Sequence, residues 1–567
     1  MAEGILGSAL SGLLAFQRSL EVTSNNISNV NTEGYSRQRV ELATRPEQFF
    51  GGSYLGKGVD ATNITRSYDE FITRQMRSST SAFAEVDQFY TLSTQVDNIV
   101  ASEGTSVAPA LKSFFNAVHE VANDPSAIPA RQVMLSEADS LSQTFNTLNS
   151  RFSEFRDQLN DSISNMSDDL TRYAAQIADL NVKIMDDIGR SSGKSLPNGL
   201  MDQRDLLLNK ISEINDVTVI NQADGSASVF IGKGQPLVIG TYSTKISVVS
   251  SSDDPSHLEL SMDGSTITNQ LSGGKLYGSL RFRDEVLDPA QQQLGLMATG
   301  LSLAFNDKHD DGYDLQGAAG GAFFSAPTVA VAAKPGSVGS VTATFQNTAV
   351  GVSKLVASDF RLDVTATGYT LTQLSNNTST AVVATLPTTP AGVLTNTLFG
   401  FDLDLSDSAL AVNDSFLIRP VFQGATNIDV AITDPEKIAA AKSVGIDAIT
   451  GLPIPGGPGD NRNALELAQL ETQNLMLSNS SATATATFAD TYGQIVAKVG
   501  TSTHGAMVSR SAQDVLLKQV TGTQQDVSGV NLDEEAANLI KFQNAYQASA
   551  QAIAVANRLF DSLMGVF

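Results

Sequence analysis

The sequence predicts a multidomain α+β protein: terminal helices paired as a coiled coil, a long helical-bundle middle domain with a small β element, and an inserted all-β outer domain. Three observations support this prediction. Apolar residues recur at helical heptad spacing at both ends of the chain, a longer seam of the same kind lies between them, and two internal stretches alternate with period two. A chain of 567 residues is also too long for one core.

Both ends of the chain are predicted to be amphipathic helices. Their apolar seams step by three and four residues, which keeps the side chains on one stripe and lets two helices supercoil. The N-terminal seam is Leu6, Leu10, Leu13, Gln17, Leu20, Ser24 and Ile27. The C-terminal seam is Leu532, Ala536, Leu539, Gln543, Tyr546, Ala550, Ile553, Asn557, Phe560, Met564 and Phe567. Because these seams lie at the extreme ends, we expect them to pair with each other or with neighbouring subunits.

A long helix is predicted for residues 141–184. The apolar seam runs from Leu141 to Ile184 and breaks its alternation only between Leu159 and Ile163, a stutter that relaxes supercoiling. Residues 284–306 and 461–523 are also predicted to be helical.

Two stretches are predicted to be β structure. Residues 217–280 alternate with period two around turns at Asp224-Gly225 and Asp263-Gly264, and residues 338–433 are rich in Thr, Val and Ser. Five segments follow, namely 1–65 (N-terminal part of the coiled-coil domain), 66–337 (helical middle domain with the β element 217–280), 338–433 (inserted β domain), 434–523 (return part of the middle domain) and 524–567 (C-terminal part of the coiled-coil domain).

The composition restricts the possible partners. A net charge of −24 argues against nucleic acid or an anionic membrane as a partner, because phosphate binding needs clustered cations. The acidic start Met1–Gly4 does not fit a cleaved signal peptide, and no apolar run reaches the ~18 residues that span a bilayer. Cysteine is absent, which fits either a reduced cytosol or export into an oxidising medium.

No catalytic, cofactor or metal site is predicted. Residues Gly189–Ser195 imitate a phosphate-binding loop but have one residue too few between the glycines. Residues Asp307–Gly312 resemble a calcium loop but place His309 at a ligand position, and whether a metal binds near Asp307–Asp311 stays open. The four histidines show no metal spacing. Asp533–Glu535 are expected in the first turn of the last helix, with Asn531 as its cap.

Three stretches resemble a known family. Residues Ser11–Gln17 and Asn25–Gln38 resemble the N-terminal signature of the bacterial flagellar axial proteins, the rod, hook and hook-associated family. Residues Ser528–Ala550 are similar to the C-terminal signature of its hook-associated members, and Gly273–Phe324 carries a third match. One departure is Glu33, where the family usually has proline before the Gly-Tyr pair; Gly34 still supplies the permissive backbone.

The resemblance implies a non-enzymatic subunit joining the flagellar hook to the filament, exported from the cytoplasm by the flagellar type III route without a cleaved signal peptide. Implied partners are other copies of the chain, the hook protein, the second junction protein (hook-associated protein 3) and a cytoplasmic export chaperone. The expected assembly contacts are Leu6, Leu10, Leu13, Leu20, Asn25, Asn26, Ile27, Asn29, Asn31, Gly34, Tyr35, Leu532, Leu539, Tyr546, Ile553, Phe560 and Met564. The chaperone is expected on Leu539, Ile553 and Phe560.

Two alternatives stay open at this point. The chain could be a hook or rod protein of the same family, although its length and the stretch from Gly273 to Phe324 argue against this. It could also be a secreted protein with an activity in the β domain, although residues 338–433 offer no paired carboxylates or metal ligands.

Overall fold

The computed structural model describes residues 2–50, 52–102, 104, 106–191, 195–251, 254–366, 368–375, 378–382, 393–394, 399–407, 409–478 and 483–565. It combines long helices with several antiparallel sheets, which confirms a mixed helix and sheet protein with helices at both ends. The prediction that the terminal helices form a coiled coil and the prediction of an all-β outer domain both stay proposals.

Twelve α-helices lie in the described residues. They are α1 (Ala2–Ser28), α2 (Glu70–Val100), α3 (Val107–Asn123), α4 (Ile128–Arg190), α5 (Asn198–Ile214), α6 (Gly274–Phe282), α7 (Asp288–Asp310), α8 (Ala349–Lys354), α9 (Gly424–Asn427), α10 (Arg462–Gln469), α11 (Phe488–Ser528) and α12 (Leu532–Met564). One π turn, Arg283–Leu287, joins α6 to α7, and short 3-10 helices lie at Thr268–Gln270 and Pro435–Lys437.

The described strands form small antiparallel sheets. They are β1 (Gln38–Thr44), β2 (Gln48–Phe50), β3 (Ser53–Leu55), β4 (Val59–Arg66), β5 (Val217–Asn221), β6 (Ala227–Ile231), β7 (Gln235–Ile239), β8 (Tyr242–Ser243), β9 (Ile246–Ser250), β10 (Leu258–Met262), β11 (Ser265–Thr266), β12 (Ala330–Ala333), β13 (Thr342–Phe345), β14 (Phe360–Thr365), β15 (Gly368–Gln373), β16 (Thr378–Val382), β17 (Val393–Leu394), β18 (Phe401–Asp404), β19 (Ser415–Arg419), β20 (Ser443–Ile446), β21 (Pro453–Pro455), β22 (Met476–Ser478) and β23 (Ala484–Ala486). The sheet orders are β1-β4, β2-β3, β5-β6-β7-β8, β11-β10-β9, β12-β19-β14-β15-β16, β13-β18-β17, β20-β21 and β22-β23.

The predicted helix at 141–184 is confirmed as part of α4, which has 63 residues and is therefore about 95 Å long. The seam residues from Leu141 to Ile184 are largely buried, and those up to Ile177 belong to the main core, together with apolar residues of α2, α3, α6, α7 and α11. A second apolar cluster, centred on Phe360, Phe401 and Phe416, fills the space between the sheets of the inserted segment.

Two predicted elements were wrong in part. Residues 274–280 lie in α6, not in the predicted β stretch, because Gly273 and Gly274 turn the chain with positive φ and Leu276 and Leu280 then face the core at helical spacing. The predicted helix over 461–523 is interrupted by the β22–β23 hairpin, where Met476 pairs with Ala486 and both side chains are buried in the core.

The domain boundaries stay predictions. One relevant observation is that β12 already pairs with β19, so the sheet of the inserted segment begins before residue 338.

The two terminal helices pack side by side. Asn26 contacts Glu535, and Gly12 lies against Ser549, so rising numbers on α1 meet falling numbers on α12. The helices are therefore antiparallel, and α1 also packs on the β1–β4 hairpin.

Candidate assembly surface

The face of α1 that packs inside the chain is made of small residues. Its buried positions are Ser11, Gly12, Ala15, Ser19, Val22, Thr23 and Asn26. On α12, the small residues Ala545, Ala548, Ser549 and Ala552 line a groove shared with Ile5, Ser8, Ala9 and Phe16 of α1. A side-chain carbon added at Gly12 would lie 3.2 Å from Ser549 Oγ. Small side chains therefore allow the two helix backbones to approach closely.

The large residues of the predicted N-terminal seam are not on that buried face. Leu6 and Leu10 are exposed, the latter to 49%, and the neighbouring Leu14 is exposed to 52%. Leu13, Leu20 and Ile27 are half-buried. The pairing surface is thus offset from the heptad seam, because a close helix contact selects small residues over leucine. The outer leucine stripe of α1, residues Leu6, Leu10 and Leu14, is left facing away from the chain.

Asn26 is the polar centre of the terminal pair and is 1% exposed. Its Nδ2 donates to the Gln38 carbonyl oxygen (2.8 Å) and to Glu535 Oε2 (3.1 Å). Its Oδ1 accepts from the Tyr35 hydroxyl (2.8 Å) and the Gln38 N–H (3.0 Å). All four hydrogen-bonding positions of the amide are used, so Asn26 joins α1, the following loop, β1 and α12.

The charge on Glu535 is matched by Arg37. Arg37 Nε lies 2.8 Å from Glu535 Oε1, and Arg37 Nη1 lies 2.7 Å from Glu534 Oε2. Glu535 is 2% exposed, so both its oxygens are satisfied inside the protein. The predicted cap is also present, since Asn531 Oδ1 accepts from the Asp533 N–H at 2.9 Å.

Tyr35 stays protonated as the donor to Asn26. Burial, followed by the negative charges of Asp202 and Glu535, raises the pKa of Tyr35 to about 12. The hydroxyl therefore keeps its hydrogen bond across the whole physiological pH range.

A second buried cluster fastens the terminal region to the body. Arg66 Nη1 lies 3.0 Å from Asp202 Oδ1 and 2.6 Å from Asp205 Oδ2, while Arg77 Nη2 lies 2.8 Å from Asp205 Oδ1. Burial raises the pKa of Asp202 despite hydrogen bonds from Ser36 and Arg66. The cluster links β4 and α2 to α5, and these buried charge pairs join the terminal region to the helical body of the protein.

The remaining predicted residues of the N-terminal loop lie nearer the surface. Asn25, Asn31 and Gly34 are exposed, and Asn29 is half-buried with its Nδ2 donating to Asn25 Oδ1 (2.8 Å). Gly34 has φ +79°, and a side chain there would press on Leu206. The glycine therefore serves a close approach as well as the turn.

On α12 the predicted residues divide by exposure. Leu539, Tyr546 and Ile553 are half-buried, whereas Leu532 and Phe560 are exposed. The side chain of Met564, and Phe567 as a whole, lie outside the described residues.

Sequence reasoning missed an exposed apolar set on α11 and α12. Beyond Ala506, α11 buries only Val520 and Ser528. The exposed apolar side chains of these two helices include Met507, Val508, Val515, Leu516, Ile540, Val555 and Leu559. The spacing of seven between Val508 and Val515 was a signal that could have found it.

Both ring nitrogens of His309, in the stretch that resembles a calcium loop, have protein partners. His309 is buried, its Nδ1 lies 2.7 Å from the Gly321 carbonyl oxygen, and its Nε2 accepts from the Ala439 N–H at 2.9 Å. Burial lowers the pKa of His309. In the part of the chain that the structure describes, no three His, Asp or Glu side chains are placed to hold a metal ion. Residues 192–194 of the phosphate-loop imitation lie outside the described residues.

None of the described helices combines the length and the apolar character needed to cross a bilayer.

Four protein families match the chain in order. Residues 6–35 match the flagella basal body rod protein family, and residues 93–324 match the flagellar hook-associated protein FlgK helical domain. Residues 336–420 match the D2-like domain of flagellar hook-associated protein 1, and residues 526–566 match the C-terminal family of the basal body rod FlgEFG proteins.

Whole-chain relatives carry one name. The chain is 33% identical to flagellar hook-associated protein 1 of Escherichia coli K12, with 99% of each chain covered. It is 32% identical to flagellar hook-associated protein 1 of Salmonella typhimurium LT2, again with 99% of each chain covered. The solved structure of the flagellar hook junction protein FlgK from Burkholderia pseudomallei superposes with a TM-score of 0.69 at 26% identity, covering 80% of this chain and 100% of that one.

Proposed function

Because the chain belongs to the flagellar hook-associated protein 1 family, we propose that it is the structural subunit that joins the flagellar hook to the filament. The observation that carries the proposal is which residues the terminal helices bury and which they expose. The helices pack against each other through small and polar residues, and leucines and other large apolar residues remain exposed to solvent. Exposed apolar surface of this kind marks a protein interaction site.

The proposed architecture follows the sequence segments. Residues 1–65 and 524–567 form the terminal coiled-coil domain, 66–337 and 434–523 form the helical middle domain, and 338–433 form an outer domain that is mainly β structure, with the short helices α8 and α9. The antiparallel packing of α1 on α12 and the second core around Phe360 support this division, although Val352, Leu355 and Val421 of the same segment pack in the main core.

The proposed assembly contacts are the exposed residues of the terminal helices. On α1 these are Leu6, Leu10 and Leu14, and on α12 they include Leu532 and Phe560. Neighbouring copies, the hook protein and hook-associated protein 3 are the proposed partners along the axis. The hydrogen-bond network of the buried Asn26 and the half-buried Tyr35 supports a different role for the loop, which holds the helix pair in register.

Before assembly, the exposed face of α12 needs protection. We propose that a cytoplasmic export chaperone covers the region of Leu539, Ile553 and Phe560, and that the chain then leaves by the type III route to the outside of the cell. Phe560 is exposed and Leu539 and Ile553 are partly so, which supports a surface available to a chaperone. We also propose that the subunit is not an enzyme, since the family to which it belongs is structural.

The test uses matched surface charges. Leu10→Asp with Leu14→Asp changes residues that are 49% and 52% exposed, so the chain should fold normally. Cells relying on this variant are expected to lose filaments from their hooks and release filament protein into the medium. Val133→Asp serves as the control, because Val133 is 51% exposed on α4 in the body. If the double variant supports normal filaments and swimming, the outer leucine stripe is not an assembly contact.

A further inference from the structure

The hairpin β20–β21 exposes an unusual concentration of apolar side chains. Its exposed large residues are Val444, Ile446, Ile449, Leu452 and Ile454. Ile449, at the tip, is 96% exposed. A two-stranded hairpin alone is marginally stable in water, so such a surface needs a reason. At the base of the hairpin, Ala441 pairs with Tyr313 in the loop after α7, and Arg462 of α10 donates to the Ser443 carbonyl oxygen at 3.2 Å.

The tip is held rigid by its own hydrogen bonds. The Asp447 carboxylate accepts from the Ile449 N–H (2.7 Å) and the Thr450 N–H (2.8 Å). The Asp447 N–H donates to the Leu452 carbonyl oxygen at 2.9 Å, and Gly451 closes the turn with φ +68°. Ile449 is therefore presented in a fixed position, and little conformational entropy remains to be lost on binding.

The base of the hairpin is equally fixed, and its cations are already paired. Lys442 Nζ lies 2.5 Å from Glu466 Oε1. Arg462 Nη2 lies 2.7 Å from Asp460 Oδ2, and this contact, the largest cause, lowers the pKa of Asp460 to about 2. The segment 443–455 itself contains one carboxylate, Asp447, and no Lys or Arg. The hairpin is thus an almost uncharged projection from a strongly acidic protein.

The edges of the hairpin are closed to strand addition. Pro453 and Pro455 have no N–H to donate, which removes two of the three donors of β21. On β20 the Ser443 hydroxyl accepts from the Gly445 N–H at 3.3 Å within a bulge. Recognition must therefore use the apolar side chains, not the strand backbone.

The net charge of the chain and the exposed apolar area of the hairpin together indicate which surface covers the hairpin. Two copies that each carry −24 charges repel one another, so a close contact between them requires uncharged surface. The five exposed side chains offer on the order of 600 Å² of apolar surface, below the ~800 Å² per partner of a stable interface. Such a contact suits an assembly in which several weak contacts act together, and not a dimer in solution.

We propose that the β20–β21 hairpin packs against the body of a neighbouring copy of this chain within the assembled junction. This inference rests on the proposed function, because it requires copies held side by side. A lipid surface is disfavoured as the occupant, since Lys442 and Arg462, the cations beside the hairpin, are tied to carboxylates.

The test places a photoreactive benzophenone amino acid at position 449 of the full chain, in cells that have no other copy. Irradiation of assembled flagella is expected to give a covalent species of about twice the 59.8 kDa chain mass, with the adduct mapped to a peptide of the same protein. The matched control is position 242, because Tyr242 is 81% exposed on the separate β7–β8 hairpin. We expect at least a fivefold lower dimer yield there.

A third probe position separates this inference from the proposed function. Phe560 lies in the terminal region, where the proposed function alone predicts contact between subunits. A dimer from position 560 without one from position 449 would overturn the hairpin contact and leave the junction role intact. Adducts of position 449 with lipid, or with a different protein only, would overturn it as well. Absence of the chain from isolated hook–filament particles would instead overturn the proposed function.

A functional variant completes the test. Ile446→Ser with Ile449→Ser alters two exposed residues and should leave thermal unfolding unchanged. We expect filaments to break from hooks under shear at least fivefold more often than in the wild type. Loss rates equal to the wild type would show that the hairpin does not hold copies together.

Discussion

Replacing Asn26 by alanine should open the terminal helix pair without unfolding the body. The change removes four hydrogen bonds, of 2.8 Å and 3.1 Å from Nδ2 and of 2.8 Å and 3.0 Å to Oδ1. Glu535, which is 2% exposed, then keeps a buried oxygen without a donor. Each buried group left unsatisfied costs ~1–3 kcal/mol, less where water can reach it. Gln38 and Tyr35 are only partly buried, so the total should be ~3 kcal/mol, roughly a 100-fold increase in local opening.

Hydrogen exchange measured by mass spectrometry is the assay, since it reports opening segment by segment. Peptides from α1 and α12 should exchange roughly 100-fold faster in Asn26→Ala, while peptides from α4 stay unchanged. Asn25→Ala is the matched control, because Asn25 is exposed and its side chain bonds only to Asn29 among the described residues. Equal exchange of α1 in the two variants would refute the assignment of Asn26 as the centre of the pair.

A donor–acceptor exchange sharpens the same test. Asn26→Asp leaves no donor toward Glu535 and brings two carboxylates to about 3 Å, so it should be at least as damaging as alanine. Adding Glu535→Gln restores a donor on the opposite side, and the double variant should recover part of the protection. No recovery would mean that the contact between α1 and α12 at this point is not what holds them.

Two further predictions concern the inserted sheet and the last helix. Burial raises the pKa of Asp359 to about 6, above its unfolded value near 4, so this group stabilises the fold at low pH and its contribution is lost as pH rises from about 4 through 6. In Asp359→Asn, the fall of the unfolding temperature between pH about 4 and 6 should therefore be smaller than in the wild type by the contribution of Asp359. The control Asp404→Asn, in the same segment, should show the same fall as the wild type. Parallel pH profiles of the wild type and Asp359→Asn would contradict the prediction. Leu539→Asp with Ile553→Asp should detach α12 from α1, abolish incorporation at the hook tip and weaken chaperone binding, because both side chains are half-buried on the helix that packs against α1. The control is Ala537→Asp with Ala554→Asp, at exposed positions of the same helix. The two double variants are compared by limited proteolysis and by a motility assay. Normal swimming of the Leu539 and Ile553 variant would contradict the prediction.

The long helices were predictable from the sequence because their packing partners are extensive and apolar. The seam from Leu141 to Ile184 repeats for more than ten turns, and each position meets core on the same side. The β22–β23 hairpin could not be predicted in the same way. Its short strands carry small residues such as Ala484 and Ala486, whose propensity does not oppose a helix, and only the tertiary core around Met476 decides their conformation.

The inward face of α1 was unpredictable for a different reason. A stripe of leucines and a stripe of small residues both fit a helix, and heptad counting favours the larger side chains. Which stripe faces the same chain depends on α12 and on β4, where the Val59 N–H donates to Ser11 Oγ at 3.2 Å. The buried pairs Arg66–Asp202 and Asn26–Glu535 join residues far apart in sequence, so spacing carries no signal for them.

The arrangement of the terminal helices divides two tasks between two kinds of residue. Small and hydrogen-bonded residues fix register and direction within one chain, as the buried Asn26 and Glu535 do, because a buried polar pair tolerates few alternatives. The leucines of the outer α1 stripe contribute little to that pairing, since Leu10 and Leu14 remain about half exposed. Their burial, at ~25 cal/mol per Å², becomes available only when another surface covers them. The free chain can therefore be correctly paired and still keep exposed apolar surface whose burial favours assembly.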